Sequence, residues 1–218
     1  MRLRDCFWFT RDPVLLTKRN LWLFSRYIVL WALVIHTSIG LIASARNHLL
    51  KRGEYGAVLI SDHISDSPTF RRYEGGASAL AWTGAYPYWT YYFNNRNLQA
   101  RWFRRATSAD LEKVLQDSRC VSIVLVGHGS FCLWAASDKD VTNDEVTQYM
   151  KGQAKKSGEW LQLTCGVPDE FPVKMGELVM DKDRVYTYDA SINAYYLVTD
   201  ALFGFKYIKS LKNRSKSH

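Results

Sequence analysis

Cysteine is scarce in this chain, and its few cysteines show no spacing typical of a metal site or a disulfide scaffold. There are four of them in 218 residues, no two stand as Cys-x-x-Cys, and no cluster of histidines accompanies them. A small disulfide-stapled domain is excluded, and a structural zinc site is disfavoured. Nothing else in the sequence indicates a metal ion or an organic cofactor, so we predict neither.

The middle of the chain lacks the positive charge that the overall composition suggests. The formal net charge is +8, but residues 1–52 carry +7 and residues 206–218 carry +5, which leaves −4 for residues 53–205. A groove for nucleic acid needs its cations on the folded body, so nucleic acid is excluded as a partner. Two basic ends on a mildly acidic body suit a membrane surface better.

Charged residues are absent from residues 27–45, which read YIVLWALVIHTSIGLIASA. As a helix this run spans roughly 28 Å, enough to cross the hydrocarbon core of a membrane. We predict a transmembrane or signal-anchor helix over residues 21–46, after a basic segment at residues 1–20. The distribution of Lys and Arg places the body outside the cytoplasm. Cleavage at Ala43-Ser44-Ala45, followed by secretion, is the alternative, and a buried core helix is a third interpretation.

The body, residues 53–205, alternates between apolar strands and amphipathic helices. Strands are predicted at residues 57–60, 121–126, 160–164 and 184–188, with helices between them and a basic tail at residues 206–218. This order predicts an α/β fold with a mostly parallel sheet and helices on both faces, preceded by the one N-terminal apolar helix. The aromatic-rich stretch at residues 76–105 is the least regular. It predicts a helix over about 76–82, followed by an aromatic helix or loop, and a further strand over 98–105.

Polar or reactive residues follow the carboxyl ends of four predicted strands. In chain order they are Asp62, His128 with Gly129, Cys165, and Asp189 with Ser191. Parallel strands of one sheet place their carboxyl ends at the same edge, so we expect these residues to share that edge. Binding and catalytic groups of open α/β sheets are found there.

A cysteine and a histidine at this edge have the chemistry of a nucleophile and its base. Cys165 attacks only as a thiolate, and the imidazole of His128 can take its proton and later protonate a leaving amine. The amide N–H of Gly129 can point at a developing oxyanion. Asp62, on another strand end, is a candidate for orienting His128.

The order of these elements resembles that of the caspase-like cysteine peptidases, the clan of caspases, legumains, gingipains and bacterial CHAT-type domains. The matching residues are VSIVLVGHG ending at Gly129, the capping box Thr142-Asn-Asp-Glu145 and WLQLTCG around Cys165. The resemblance covers about residues 55–205. It implies a caspase-like fold, a catalytic dyad of His128 and Cys165, the Gly129 amide as oxyanion donor, and a peptide or protein substrate.

Two further features bear on this resemblance. The segment RVYTYDASINAY resembles the strand and loop that line the first specificity pocket of legumain-type members, which makes Asp189 and Ser191 candidate substrate-binding residues. If Asp189 lines that pocket, a basic side chain before the scissile bond is expected. The sequence departs from the clan at Thr164, where caspases and legumains have alanine before the nucleophile.

Other functions compete with the peptidase. LVGHGS is also similar to a fragment of the sirohydrochlorin-type chelatases, but those carry the histidine on their first strand, and here a strand precedes it. A serine hydrolase is disfavoured because Ser130 is not at the centre of Gly-x-Ser-x-Gly. The main alternative is a non-enzymatic, membrane-tethered binding or interaction protein on an α/β scaffold. The sequence predicts no particular oligomeric state.

Overall fold

The computed structural model describes residues 18–50, 53–62, 74–164 and 173–187. The chain divides into two units, Met1–Ser38 and Ile39–His218. Helix α1 (Lys18–Leu49) contains one stretch, Phe24–Leu49, that is long and apolar enough to cross a membrane. The predicted N-terminal apolar helix is therefore present, and it is longer than 21–46. Most of the basic segment and the whole basic tail lie outside the described residues.

The described part of the second unit contains eight strands. They are β1 (Tyr55–Ile60), β2 (Gln99–Arg104), β3 (Cys120–Val126), β4 (Gly129–Ser130), β5 (Leu133–Ala135), β6 (Asp140–Thr142), β7 (Trp160–Leu163) and β8 (Val185–Thr187). Five of them form a sheet in the order β2-β1-β3-β7-β8, and every neighbouring pair is parallel. The other three form a small antiparallel sheet in the order β4-β5-β6. The predicted mostly parallel sheet is confirmed.

Helices pack on both faces of the main sheet, as predicted. They are α2 (Glu74–Asn94), α3 (Ser108–Gln116), α4 (Asn143–Tyr149) and α5 (Met175–Val179). α2 covers one face with side chains such as Trp89 and Phe93, which pack on Val58 and Val124. α3, α4 and α5 contribute to the core on the opposite face. Each face of the sheet therefore buries its own apolar cluster.

Two helices begin at capping boxes, and the sequence predicts one of these, at Thr142. Thr107 accepts a hydrogen bond from the amide of Asp110 and its own amide donates to the Asp110 carboxylate, at the start of α3. Thr142 and Glu145 make the same reciprocal pair at the start of α4. In each case two N–H groups that the helix itself cannot satisfy find a partner.

The aromatic stretch differs most from its prediction. Instead of a helix over 76–82 followed by a separate aromatic helix or loop, one helix continues to Asn94 and contains Pro87. Proline removes a helical hydrogen bond and crowds the preceding turn, so a proline in the sequence usually indicates the end of a helix. Here Trp89 and Phe93, beyond the proline, are fully buried against the sheet. Packing of those rings outweighs the local cost, because burying a large aromatic side chain gains about 2–3 kcal/mol.

Candidate active site at the carboxyl edge of the sheet

The three central strands of the main sheet end in register. Ile60 of β1 pairs with Val126 of β3, and Val126 pairs with Leu163 of β7. The carboxyl ends of these strands therefore form one continuous edge. The strand order also makes the gap between β1 and β3 the topological switch point, where open α/β sheets leave a crevice for a ligand.

The predicted site residues follow directly from this row of strand ends. Asp62 and His128 each come two residues after the aligned pair on β1 and β3, so the structure brings the ends of their strands together. Cys165 comes two residues after the aligned residue of β7. Cys165, Asp189 and Ser191 themselves lie outside the described residues.

His128 is held in a turn between two glycines. Gly127 has φ +147° and Gly129 has φ +150°, backbone conformations that residues other than glycine rarely adopt. A Cβ atom on Gly129 would lie 2.3 Å from the carbonyl oxygen of Leu133, so a side chain is excluded by space as well. The carbonyl of His128 accepts a hydrogen bond from the Ala135 amide at 2.9 Å. The backbone of the half-buried histidine is thus fixed by the hairpin that follows it.

The pairing of β4 with β5 sets the direction of the Gly129 amide. Gly129 is paired with Trp134, and the neighbouring hydrogen bond runs from the Ala135 amide, one residue after Trp134, to the His128 carbonyl, one residue before Gly129. In an antiparallel ladder this pattern defines a non-hydrogen-bonded pair, whose two residues exchange no backbone hydrogen bond with each other. The N–H of Gly129 therefore points away from β5.

A buried glutamine connects the small sheet to β7. Gln162 donates through Nε2 to the carbonyl oxygens of Ser130 and of Leu133, the latter at 3.3 Å. Its Oε1 accepts a hydrogen bond from Trp160 Nε1 at 3.3 Å. The hydroxyl of Thr164 also donates to the Ser130 carbonyl, at 3.4 Å. The turn around His128 and the strand that leads to Cys165 are therefore held together by side-chain hydrogen bonds.

Asp62 is a buried carboxylate with only part of its hydrogen-bonding capacity used. The residue is 7% exposed, and its Oδ2 accepts a hydrogen bond from Arg105 Nε at 2.5 Å. Among the residues that the structure describes, its Oδ1 is buried and has no hydrogen-bond partner. Buried carboxylate oxygens without a partner are costly and uncommon, so this atom marks the edge as a candidate binding position.

Arg105 follows the end of β2, and its backbone is strained in the position from which its side chain contacts Asp62. Its φ is +53°, which is unfavourable for a residue with a side chain. Its side chain is 73% exposed apart from the contact with Asp62. The carboxyl edge therefore carries an ion pair whose acidic member is buried and whose basic member faces solvent.

A second cation lies at the end of β8. Lys174 Nζ donates to the hydroxyl of Thr187 at 2.9 Å and lies 4.7 Å from the centre of the Phe131 ring. The Met175 amide donates to the Phe131 carbonyl at 2.8 Å. The chain that returns after Cys165 is therefore fastened to the small sheet. It brings an ammonium group to the side of the edge where Asp189 follows β8 in sequence.

Of the two cysteines in the described part of the chain, Cys120 is a poor candidate for the nucleophile. Burial raises the pKa of the Cys120 thiol to about 12, so it carries almost no thiolate at neutral pH. Cys132 is half-buried, and its Sγ lies 3.5 Å from the hydroxyl of Ser130. In the described part of the chain, no group of three or more His, Cys, Asp or Glu residues is arranged to hold a metal ion.

Sequence reasoning missed three residues of this edge: Gln162, Arg105 and Lys174. Gln162 carried a usable signal, since a glutamine inside the apolar strand WLQL is buried and needs partners. Arg105 and Lys174 carried no such signal, because Arg105 simply follows a strand and Lys174 simply precedes a helix, where charged residues are common. No family model matches this chain, and no curated protein sequence matches it.

Proposed function

We propose that this protein is a membrane-anchored cysteine peptidase of the caspase-like type. Cys165 is the nucleophile, His128 the general base and acid, and Gly129 an oxyanion donor. The observation that carries the proposal is the register of β1, β3 and β7, which ends the strands leading to Asp62, His128 and Cys165 at one row. The order of parallel strands is also compatible with a caspase-like sheet.

Chain connectivity supports the pairing of His128 with Cys165. Neighbouring strands are about 4.8 Å apart, and two residues of extended chain reach at most about 7 Å. Val126 and Leu163 are directly paired, and each catalytic residue follows its strand by two residues. A thiol and an imidazole attached at these points can meet without a long loop on either side.

The proposed reaction is hydrolysis of a peptide bond in two steps. The Cys165 thiolate attacks the carbonyl carbon of the substrate while His128 holds the proton from the thiol. The carbon–nitrogen bond then breaks as the imidazolium protonates the leaving amine, which leaves a thioester. His128 next takes a proton from water, the hydroxide attacks the thioester, and the carboxylate product and the free thiol are released. In both steps the Gly129 N–H stabilises the oxyanion.

We further propose that Asp62 orients this machinery through its free oxygen. Oδ2 is used by Arg105, and Oδ1 is buried and without a partner among the described residues. It follows β1, the neighbour of the strand that carries His128. A carboxylate there stabilises the imidazolium formed during attack. Asp62→Asn keeps the size and removes the charge, so kcat should fall about 10-fold or more with KM nearly unchanged.

Specificity is proposed to depend on the end of β8. Asp189 there favours a basic residue before the scissile bond, whereas Lys174 brings an opposing charge to the Thr187 hydroxyl at 2.9 Å. A panel of peptides ending in arginine, asparagine or aspartate distinguishes recognition by Asp189 from recognition by Lys174. Preference for arginine supports Asp189 as the recognising group, and preference for aspartate assigns that role to Lys174.

We propose that α1 is retained as an anchor with the body outside the cytoplasm. Ala43 is buried, and its carbonyl accepts a hydrogen bond from the Nδ2 of Asn94, which is also buried, at 2.8 Å. Asn47 exchanges hydrogen bonds with the backbone of Ala100. Cleavage after Ala45 would remove the acceptor and expose the site around Asn94. The intact mass of the purified protein tests this, and loss of residues 1–45 would contradict it.

The peptidase proposal is tested with the full chain in detergent and a peptide library read by mass spectrometry. Cleavage is expected for the wild-type protein and for Cys132→Ala, a matched cysteine control at the same edge. Loss of cleavage by at least about 1,000-fold is expected for Cys165→Ala and for His128→Ala. Absence of cleavage in the wild type, or cleavage that survives Cys165→Ala, would favour the non-enzymatic binding protein instead.

A further inference from the structure

Helix α2 presents an uncharged aromatic surface to solvent. No Asp, Glu, Lys or Arg occurs between Gly75 and Asn94. Tyr91, on the outer side of the helix, is 49% exposed. Tyr88 and Gly84, about one and two turns earlier on the same side, are half-buried; Tyr88 packs partly against the core, and Gly84 has open space beside it. We call Gly84, Tyr88 and Tyr91 the aromatic face. Tyrosines exposed in this way are typical of the zone where lipid headgroups meet hydrocarbon.

The same helix is fastened to the last turns of α1. The hydroxyl of Ser44 lies 2.9 Å from the hydroxyl of Tyr86, and a Cβ on Gly40 would lie 3.5 Å from Pro87. Residues 40–45 are also the final part of the uncharged run that forms the proposed span. α2 is therefore in contact with the end of the proposed span.

The surroundings of this contact have the composition of a membrane interface. On α1, Leu41 and Ile42 are 68% and 64% exposed, which is costly in water and favourable in lipid. Near α2, the guanidinium of Arg104 lies 5.2 Å from the centre of the Trp82 ring, and that of Arg96 lies 3.6 Å from the Tyr92 ring. Cations with apolar stems beside aromatic rings suit lipid phosphates.

We propose that α2 is an interfacial helix whose aromatic face contacts the headgroup region of the bilayer that α1 spans. The body is then held against the membrane by two elements rather than suspended from a single helix. This inference rests on the proposed anchor and is independent of the peptidase chemistry.

The test uses nitroxide labels on the full chain in nanodiscs of phosphatidylcholine and phosphatidylglycerol. Tyr91→Cys reports the aromatic face, and Ala109→Cys, at an exposed position on α3 on the opposite face of the sheet, is the matched control. Labelled wild-type protein gives the background from native cysteines. Collisions with a water-soluble nickel reagent should be at least about three-fold rarer at position 91 than at 109, and collisions with oxygen more frequent.

Tyr88→Cys repeats the measurement if Tyr91→Cys does not fold. Equal access of the nickel reagent to position 91 (or 88) and to position 109, in chain that is bound to nanodiscs, would overturn the interfacial helix and leave the anchor intact. Chain that does not enter nanodiscs at all would overturn both. Neither result involves cleavage of a peptide, so a failure of the peptidase proposal is recognised separately.

Discussion

The side-chain amide of Gln162 donates a hydrogen bond to the carbonyl oxygen of Leu133 at 3.3 Å, across the boundary between the two sheets. The same amide also reaches the Ser130 carbonyl. These bonds fix the small sheet, and with it the glycine turn that carries His128, to the strand that leads to Cys165. This buried polar side chain, together with the Thr164 hydroxyl, therefore joins the two parts of the candidate site.

Replacing Gln162 with leucine should destabilise the protein despite the similar size of the two side chains. The carbonyls of Ser130 and Leu133 would lose a buried donor, which costs about 2 kcal/mol. Unfolding by guanidinium chloride in detergent, followed by tryptophan fluorescence, measures the change. Gln153→Leu, at an exposed position, is the control and should change stability by less than about 0.5 kcal/mol. Equal midpoints for the two variants would contradict the role of Gln162.

Alanine at Gly129 should be poorly tolerated. The added Cβ would lie 2.3 Å from the Leu133 carbonyl oxygen, and the φ of +150° is unfavourable for alanine. We expect a loss of about 3 kcal/mol or failure to fold. Gly84→Ala is the matched control, since no atom lies within 4 Å of its added Cβ and its helical backbone accepts alanine. A Gly129→Ala protein as stable as Gly84→Ala would show that the turn is not constrained as described.

The stability of the protein should fall in acid through Asp117. Burial alone would raise the pKa of this carboxyl, but hydrogen bonds from Arg119 and Tyr55 outweigh it and hold the pKa at about 2. In the unfolded chain the pKa of an aspartate is about 4. The lowered pKa therefore stabilises the folded state above about pH 4, and this stabilisation is lost as the pH falls towards 2.

The corresponding measurement compares the wild-type protein with Asp117→Asn. Their difference in free energy of unfolding should be constant at neutral and weakly acidic pH. It should then shrink as the pH falls below about 4, because the wild-type carboxylate takes up a proton that the asparagine variant does not need. A difference that stays the same down to about pH 2 would show that the charge of Asp117 does not contribute.

Local signals predicted most of the sheet and the start of one of the helices. The apolar runs at 57–60, 121–126 and 160–164 each match a strand of the parallel sheet to within two residues at either end, and the capping box at Thr142 starts a helix. In these places propensity, spacing and burial agree, so a short window of sequence is sufficient.

The parts that were not predicted depend on contacts between distant residues. α2 passes through Pro87 because rings beyond it pack on the sheet. Arg105 joins Asp62 across 43 residues, and Gln162 joins Leu133 across 29. No local pattern specifies such partners. The strand ends could be placed at one edge from sequence because parallel topology alone determines that arrangement.

The most direct test of the central claim is the pH dependence of Cys165 alkylation in the full chain. Peptide mass spectrometry follows labelling by iodoacetamide at each cysteine, and Cys120, whose pKa burial raises to about 12, is the internal control for an inert thiol. A Cys–His dyad predicts fast labelling of Cys165 well below the ordinary thiol pKa of about 8.5, and loss of that reactivity in His128→Ala. Slow labelling of Cys165 that is the same with and without His128 would contradict the dyad and the peptidase proposal with it.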